Sequence, residues 1–277
     1  MTDRELRLKS IQYRVDLLRA IYHAGAGHTG GSLSCVDILN VLYNRILRVS
    51  PETFDDPSRD RYVQSKGHSV EALYVVLADR GFFPKEELET LCRYRSPFVG
   101  HPTRKVPGIE MNTGALGHGL PICVGMALAG KRDAAPYRVF TLLGDGELAE
   151  GSNWEAAMAA AHYQLDNLTA ILDHNTLQIT GKTRDVCCNE PIDEKFRAFG
   201  WTVREVDGHD FAGLTHAIND RVNGTPTCVI ANTVKGRGVS FMENVVKWHH
   251  GVPADAEYQQ ALAELELAEA EFAEAVR

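Results

Sequence analysis

Between Tyr137 and Thr183 the chain reads YRVFTLLGDGELAEGSNWEAAMAAAHYQLDNLTAILDHNTLQITGKT, a pattern that few folds accommodate. Two short apolar runs, Val139 to Leu143 and Leu168 to Leu172, are each closed by a polar turn, and an alanine-rich helical stretch lies between them. Runs of this length without alternation suit strands buried on both faces, as in parallel sheets covered by helices. A crossover joining two such strands sets the turns that follow them side by side at the carboxyl edge of the sheet, where open α/β folds bind ligands. The turns Gly144-Asp145-Gly146 and Asp173-His174-Asn175 are therefore expected to meet, bringing Asp145 to Asn175.

A carboxylate and an amide together offer hard oxygen donors. A small divalent cation such as Mg²⁺ takes one or two such protein groups and completes its octahedron with phosphate oxygens and water. The glycines flanking Asp145 let main-chain amides approach a phosphate without a Cβ in the way. The expected ligand is a metal-bound diphosphate.

GDG, followed after a helix and a strand by an asparagine turn, resembles the thiamine diphosphate motif, and GDGELAEGSNWEAAMAAAHYQLDNLTAILDHN is similar to its transketolase form. The family pattern usually ends in two asparagines; here the first is His174 and the second Asn175. The resemblance implies that the side chains of Asp145 and Asn175 and the carbonyl of Leu177 ligate Mg²⁺ (or Ca²⁺ or Mn²⁺), with Gly146 and Glu147 beside the cofactor. It also implies an α/β thiamine diphosphate-binding fold, a mostly parallel sheet with helices on both faces.

The rest of the chain fits that frame. Asp3 to Ala24 has apolar residues near helical spacing, and the stretch from Ala24 to Gly31 (AGAGHTGG) is too glycine-rich to stay helical, so a second helix is expected from Ser34 to Ile46. A short strand from Asp60 leads into the SKGH turn, a helix covers Ser69 to Arg80, and Ser96 to Glu110 is irregular. The glycine-rich stretch from Met111 to Pro121 opens a helix running to Lys131. Beyond the central unit, helices are expected at Pro191–Phe199 and Phe211–Asn223, with strands at Trp201–Val206 and Pro226–Val234. Residues 1–253 form the cofactor-binding domain in this reading, and 254–277 an Ala- and Glu-rich helical tail that packs on a partner.

GAGHTG, SKGH, GHP and TGALGHG precede GDG in the order of the transketolase pattern. The resemblance implies that His28, His68 and His101 converge on the reactive carbon of the cofactor and on the oxygens of the sugar. It lays Gly114, Ala115 and Leu116 along the cofactor and makes His118, where the family more often has Gln, a secondary polar contact. In KGRG and WHHG it assigns Lys235 and His249 to the diphosphate and the substrate, the doubled histidine leaving His250 as the alternative to His249. Imidazoles suit this work because they titrate near neutrality and both donate and accept hydrogen bonds.

A formal net charge of −8 argues against nucleic acid or an anionic membrane as partner, though not against an anionic sugar held by a local basic cluster. The charged N-terminus is no signal peptide and no apolar run is long enough to span a membrane, so a cytoplasmic protein is expected. The six cysteines show no metal spacing and are expected to be buried, reduced thiols; Cys187 and Cys188 are adjacent, and a disulfide between them would close a strained ring.

Thiamine diphosphate carries the chemistry of ketol transfer, and the protein supplies orientation and electrostatics. In the family the glutamate that activates the cofactor lies on a pyrimidine-binding domain, for which no segment of this chain reads. The expectation is therefore the N-terminal subunit of a split transketolase, active only with a second chain that carries the pyrimidine-binding domain, in an α2β2 assembly. Glu150, by position, reaches across that interface, although an acid there also suits a helix start. The reaction expected is transfer of a two-carbon ketol unit from a ketose phosphate or related sugar to an aldose. Three other readings compete: another thiamine diphosphate enzyme, disfavoured by His101 and WHHG; a split transketolase for a sulfonated or branched ketose, which shares every motif; and a non-catalytic subunit, which retention of the metal pair and the histidines argues against. A dinucleotide-binding protein lacks its GxGxxG.

Overall fold

The computed structural model describes residues 1–274. In chain order the main elements are α1 (Asp3–Ala24), α2 (Thr29–Val41), β1 (Arg61–Gln64), α3 (Val70–Asp79), α4 (Gly119–Arg132), β2 (Val139–Gly144), α5 (Gly151–His162), β3 (Leu168–His174), a two-strand ribbon of β4 (Leu177–Gln178) and β5 (Gly181–Lys182), α6 (Thr183–Val186), α7 (Ile192–Ala198), β6 (Thr202–Asp207), α8 (Phe211–Asn219), β7 (Thr227–Asn232) and α9 (Asp255–Glu274). The main sheet runs β1-β2-β3-β7-β6 and every pairing in it is parallel, with Gly144 opposite Asp173 and His174 opposite Asn232. The carboxyl ends of β2, β3 and β7 therefore lie next to one another.

Helices cover both faces. Phe140, Leu142, Ile171, Val229 and Ala231 point into a core shared with α1, α2, α3 and α8. Their neighbours Val139, Leu143, Ala170, Leu172, Cys228 and Ile230 point into a second core with α4, α5 and α7. Burial on both sides is why the strands read as unbroken apolar runs. No helix among the described residues is long and apolar enough to cross a membrane.

Several boundaries differ from expectation. Gly30 and Gly31 lie inside α2, which starts five residues earlier than its glycines suggest. Their role is close packing: a Cβ on Gly30 would stand 2.9 Å from the carbonyl oxygen of Trp248. The real break is short, set by Gly25 in the left-handed region (φ 64°) at the end of α1. α2 ends in a π turn over Leu42–Ile46, and α8 stops at Asn219, short of Asn223.

The tail helix packs on its own chain, burying Tyr258, Ala261 and Leu265 and stacking Tyr258 on Tyr22 at 4.0 Å. Residues 275–277 of the tail lie outside the described residues. All six cysteines are free, but Cys92, Cys187 and Cys188 are exposed, against the expectation of burial. They sit in irregular segments at the surface rather than on sheet or core helices.

Candidate active site

A cavity of about 500 Å³ opens at the carboxyl edge of the sheet, where the ends of β2, β3 and β7 meet the loops before α2, α3 and α4. Asp145, 3% exposed, caps the short turn after β2: one oxygen accepts the Gly146 N–H at 2.8 Å and the other accepts the Thr176 N–H. Burial, followed by the nearby charge of Asp173, raises its carboxyl to about 6. The side-chain oxygen of Asn175 accepts from the Leu177 N–H at 3.1 Å, and its amide donates to Asp173 at 3.2 Å. The Leu177 carbonyl accepts from Lys235 Nζ at 3.1 Å.

This donor set of carboxylate, amide oxygen and main-chain carbonyl is hard oxygen throughout and fits a small divalent cation that also binds phosphate oxygens. It holds a single carboxylate, and among the described residues no group of three or more His, Cys, Asp or Glu is placed to hold a metal by itself. A metal here would take phosphate or water oxygens to complete its shell.

The histidines form the opposite wall. The ring of His28 lies 5.4 Å from that of His68, 6.1 Å from His101, 5.9 Å from His249 and 4.5 Å from His250, and His68 stacks on His249 at 5.3 Å. His28 lines the cavity, and its Nδ1 is buried with no hydrogen-bond partner among the described residues. Burial, then the neighbouring His250 and His101, lowers His28 to about 4; burial, then Lys235, lowers His249 to about 3. His68 is held well below its ordinary range by burial and Lys66, and His101 is lowered by burial. These four rings are neutral at pH 7. His249 Nδ1 accepts from Lys235 Nζ at 2.9 Å, while the exposed His250 lies against the His28 ring and does not line the cavity. Of the two histidines of WHHG, His249 is therefore the one that lines the cavity.

Lys235 is 1% exposed, and burial followed by the charge of Lys66 lowers its ammonium to about 8. Lys66, equally buried, donates to the Gly31 carbonyl at 3.1 Å and is ion-paired with Asp173. Burial alone would depress the Lys66 ammonium, but the Asp173 carboxylate outweighs it and holds it above its ordinary value. Asp173 also accepts from Ser34 Oγ at 2.6 Å and from the Thr233 hydroxyl. This buried knot ties β1, α2, β3 and β7 together beneath the cavity. Sequence reasoning passed over Lys66, Asp173, Ser34 and Thr233; the only local signal was a charged residue following a fully apolar strand.

Other expectations divide. Gly114 and Leu116 line the cavity, and Gly114 must be a glycine because at its φ of 142° a Cβ would meet His101 Cδ2 at 2.7 Å. Ala115 is exposed and does not line it. His118 turns away: it is exposed, with Nδ1 facing the carbonyls of Ala115 and Leu116. Glu147 borders the cavity, but its carboxylate is spent inside the protein, accepting from the Ser65 hydroxyl, from the Gly117 N–H at 2.9 Å and from the Gly144 N–H at 3.0 Å. Glu150 is exposed at the start of α5, outside the cavity. His174 bridges Asn232 at 2.8 Å and Glu190 at 2.9 Å away from it. The outer lip carries Thr180, Val186 and the 71% exposed Ile179, none foreseen.

Comparison with known proteins bears on the family and the fold. The family model described as transketolase, thiamine diphosphate binding domain, matches residues 8–273. The chain is 49% identical over 262 residues to an apulose-4-phosphate transketolase subunit of Phocaeicola vulgatus, covering 94% of this chain and 93% of that one. It is 43% identical over 252 residues to a 6-deoxy-6-sulfo-D-fructose transketolase subunit of Clostridium sp., covering 90% and 92%. Among solved structures, transketolase from Campylobacter jejuni superposes with a TM-score of 0.84 at 28% identity, covering 99% of this chain and 48% of that one. The chain therefore spans a little under half of that enzyme.

Proposed function

This chain belongs to the transketolase family, and from that premise we propose that it is the diphosphate-binding subunit of a two-chain transketolase acting on an anionic ketose. The observation that carries the proposal is one cavity in which Asp145, Asn175 and the Leu177 carbonyl face a wall of neutral histidines. Residues 1–253 would be its cofactor-binding body and 254–277 its tail, helical over Asp255–Glu274. Asp145, Asn175 and the Leu177 carbonyl would hold Mg²⁺, with Gly146 beside the diphosphate and Glu147 fixing the loops around it. Gly114 and Leu116, which line the cavity, would lie along the cofactor.

When bound, thiamine diphosphate supplies the nucleophilic carbon and electron sink for transfer of a two-carbon unit. The chain's own residues bind and orient. Lys235 would meet phosphate oxygens, and His249, which accepts from it and is held neutral, would contact the substrate. His28, His68 and His101 would bind sugar oxygens, neutral imidazoles donating to a developing oxyanion or accepting a hydroxyl proton.

The partner is a second chain carrying the pyrimidine-binding domain, in an α2β2 cytoplasmic enzyme, with Glu150 at the interface between chains. Support for a partner comes from the relatives named as subunits. Those same names favour a branched or sulfonated ketose over the common sugar phosphates as donor.

The test is calorimetric titration of thiamine diphosphate with Mg²⁺ into this chain, with and without the partner, beside an assay of two-carbon transfer from a ketose panel. Binding that needs Mg²⁺, with turnover only when the partner is present, is expected. Binding that survives combined Asp145→Ala and Asn175→Ala substitution would remove the assigned metal site.

A further inference from the structure

Glu71 is a carboxylate inside the core with no cation beside it. It lies in the first turn of α3, 2% exposed, and forms no ion pair among the described residues. One oxygen accepts the main-chain N–H of His28 at 3.3 Å, and the other accepts the hydroxyl of Ser32 at 2.9 Å. Both partners belong to the start of α2, whose N-cap residue is His28 itself and which has no side-chain cap of its own. The first N–H groups of a helix lack intrahelical partners and favour a negative charge. Glu71 supplies both functions from a different helix. Its fit is close: a Cβ on Gly27 would stand 3.0 Å from Glu71 Oε1.

We propose that Glu71 is the positioning residue for His28, capping α2 from α3 and so fixing the direction in which the His28 ring enters the cavity. The effect on turnover rests on the transketolase reading; the effect on the His28 ring does not.

The titratable groups facing Glu71 are His28 from the loop before α2, Cys92 from the segment after Leu91, and Tyr74 on its own helix, none of them cationic at neutral pH. Unopposed burial accordingly raises the carboxyl to about 7. The ionised form accepts from both partners, whereas the neutral form has a proton to place, so the Ser32 hydroxyl must turn from donor to acceptor. The start of α2 therefore responds to pH near neutrality, although the His28 ring titrates only near 4.

The experiment follows the His28 ring signal by NMR in the histidine-labelled chain without its partner, assigned by its loss in His28→Asn. In the wild type a shift centred near pH 7 is expected; in Glu71→Gln, which keeps the shape without the charge, it is absent. In the assembled enzyme, Glu71→Ala should lower kcat at least tenfold while thiamine diphosphate affinity stays within twofold, and Glu71→Gln should restore most of the rate. A wild-type His28 signal flat through pH 7, or one whose transition persists in Glu71→Gln, overturns the proposal, as does Glu71→Ala with kcat within twofold of wild type. If Glu71→Ala fails to fold, or the assembly shows no ketol transfer, the NMR comparison alone decides.

Discussion

Replacing Asp173 with Asn leaves the shape of the buried knot and removes its charge. Asp173 is 0% exposed and its ion-pair partner Lys66 1%. Removing one member of such a pair strands the other without water, at a cost of roughly 3–5 kcal/mol. That is a large share of the roughly 5–15 kcal/mol by which folded chains are stable. In urea, with a slope of about 3 kcal/mol/M, the unfolding midpoint should fall by about 1–2 M.

The double variant Asp173→Asn, Lys66→Met removes the stranded ammonium and should be more stable than Asp173→Asn alone by at least about 1 kcal/mol, the coupling expected of residues in contact. The pH dependence has a defined sign. The Lys66 charge, outweighing burial, holds Asp173 below its ordinary 3.8, so its contribution is present above that pH and is lost as pH falls through the lowered value. Lys66 is held above its ordinary 10.5, so its contribution is present below that pH and is lost as pH rises through the raised value. Between these limits the gap between wild type and Asp173→Asn should not change. A single-variant cost under about 1 kcal/mol, or strict additivity in the double, would refute the buried-pair reasoning.

Three further outcomes follow from the same geometry. The ring signals of His28 and His249 should not titrate between pH 6 and 8 as ionising imidazoles, because they ionise at about 4 and about 3. Since unfolded histidine gains its proton near 6.5, stability should fall as pH drops below that value, measured as a urea midpoint against His28→Gln, which should blunt the fall. Gly67→Ala would set a Cβ 2.8 Å from the Gly114 nitrogen; overpacking against main chain should cost about 1–3 kcal/mol in thermal unfolding and weaken thiamine diphosphate binding by calorimetry. Glu147→Gln turns one of two accepting oxygens into a donor facing an N–H or hydroxyl, and should lower stability by about 1–3 kcal/mol in urea titration.

The central β2-α5-β3 unit was legible because burial on both faces leaves unbroken apolar runs, and the polar turns that end them mark the binding edge. Asp145, Asn175 and the histidines of the glycine-rich loops were legible for a related reason: each is a polar group where a structural element stops. What failed was the equation of glycine with loop. Gly30 and Gly31 are helical, small because the Trp248 main chain lies against them, and nothing local in the sequence carries that contact. Lys66 and Asp173 are 107 residues apart, and a pairing over that distance leaves no pattern to read. Glu71 reads as an ordinary helix-start acid, and only the fold shows that it caps another helix. His118 was assigned by position in a motif, and its ring turns instead to the carbonyls of Ala115 and Leu116, while Glu147 borders the cavity with its carboxylate held by Ser65, Gly117 and Gly144.

The strand order has a consequence for how the molecule is made. β7 is the last strand of the main sheet to be synthesised, yet it lies between β3 and β6. Until it arrives, β3 offers an open edge, β6 has no neighbour in the sheet, and Lys235 and His249 have not yet been added. Parallel pairings of this kind require distant segments to find one another and form slowly, while exposed edges invite pairing between chains. A chain interrupted before Thr227 is therefore two unjoined pieces of sheet with a sticky border, and assembly of the cavity is one of the last events in folding.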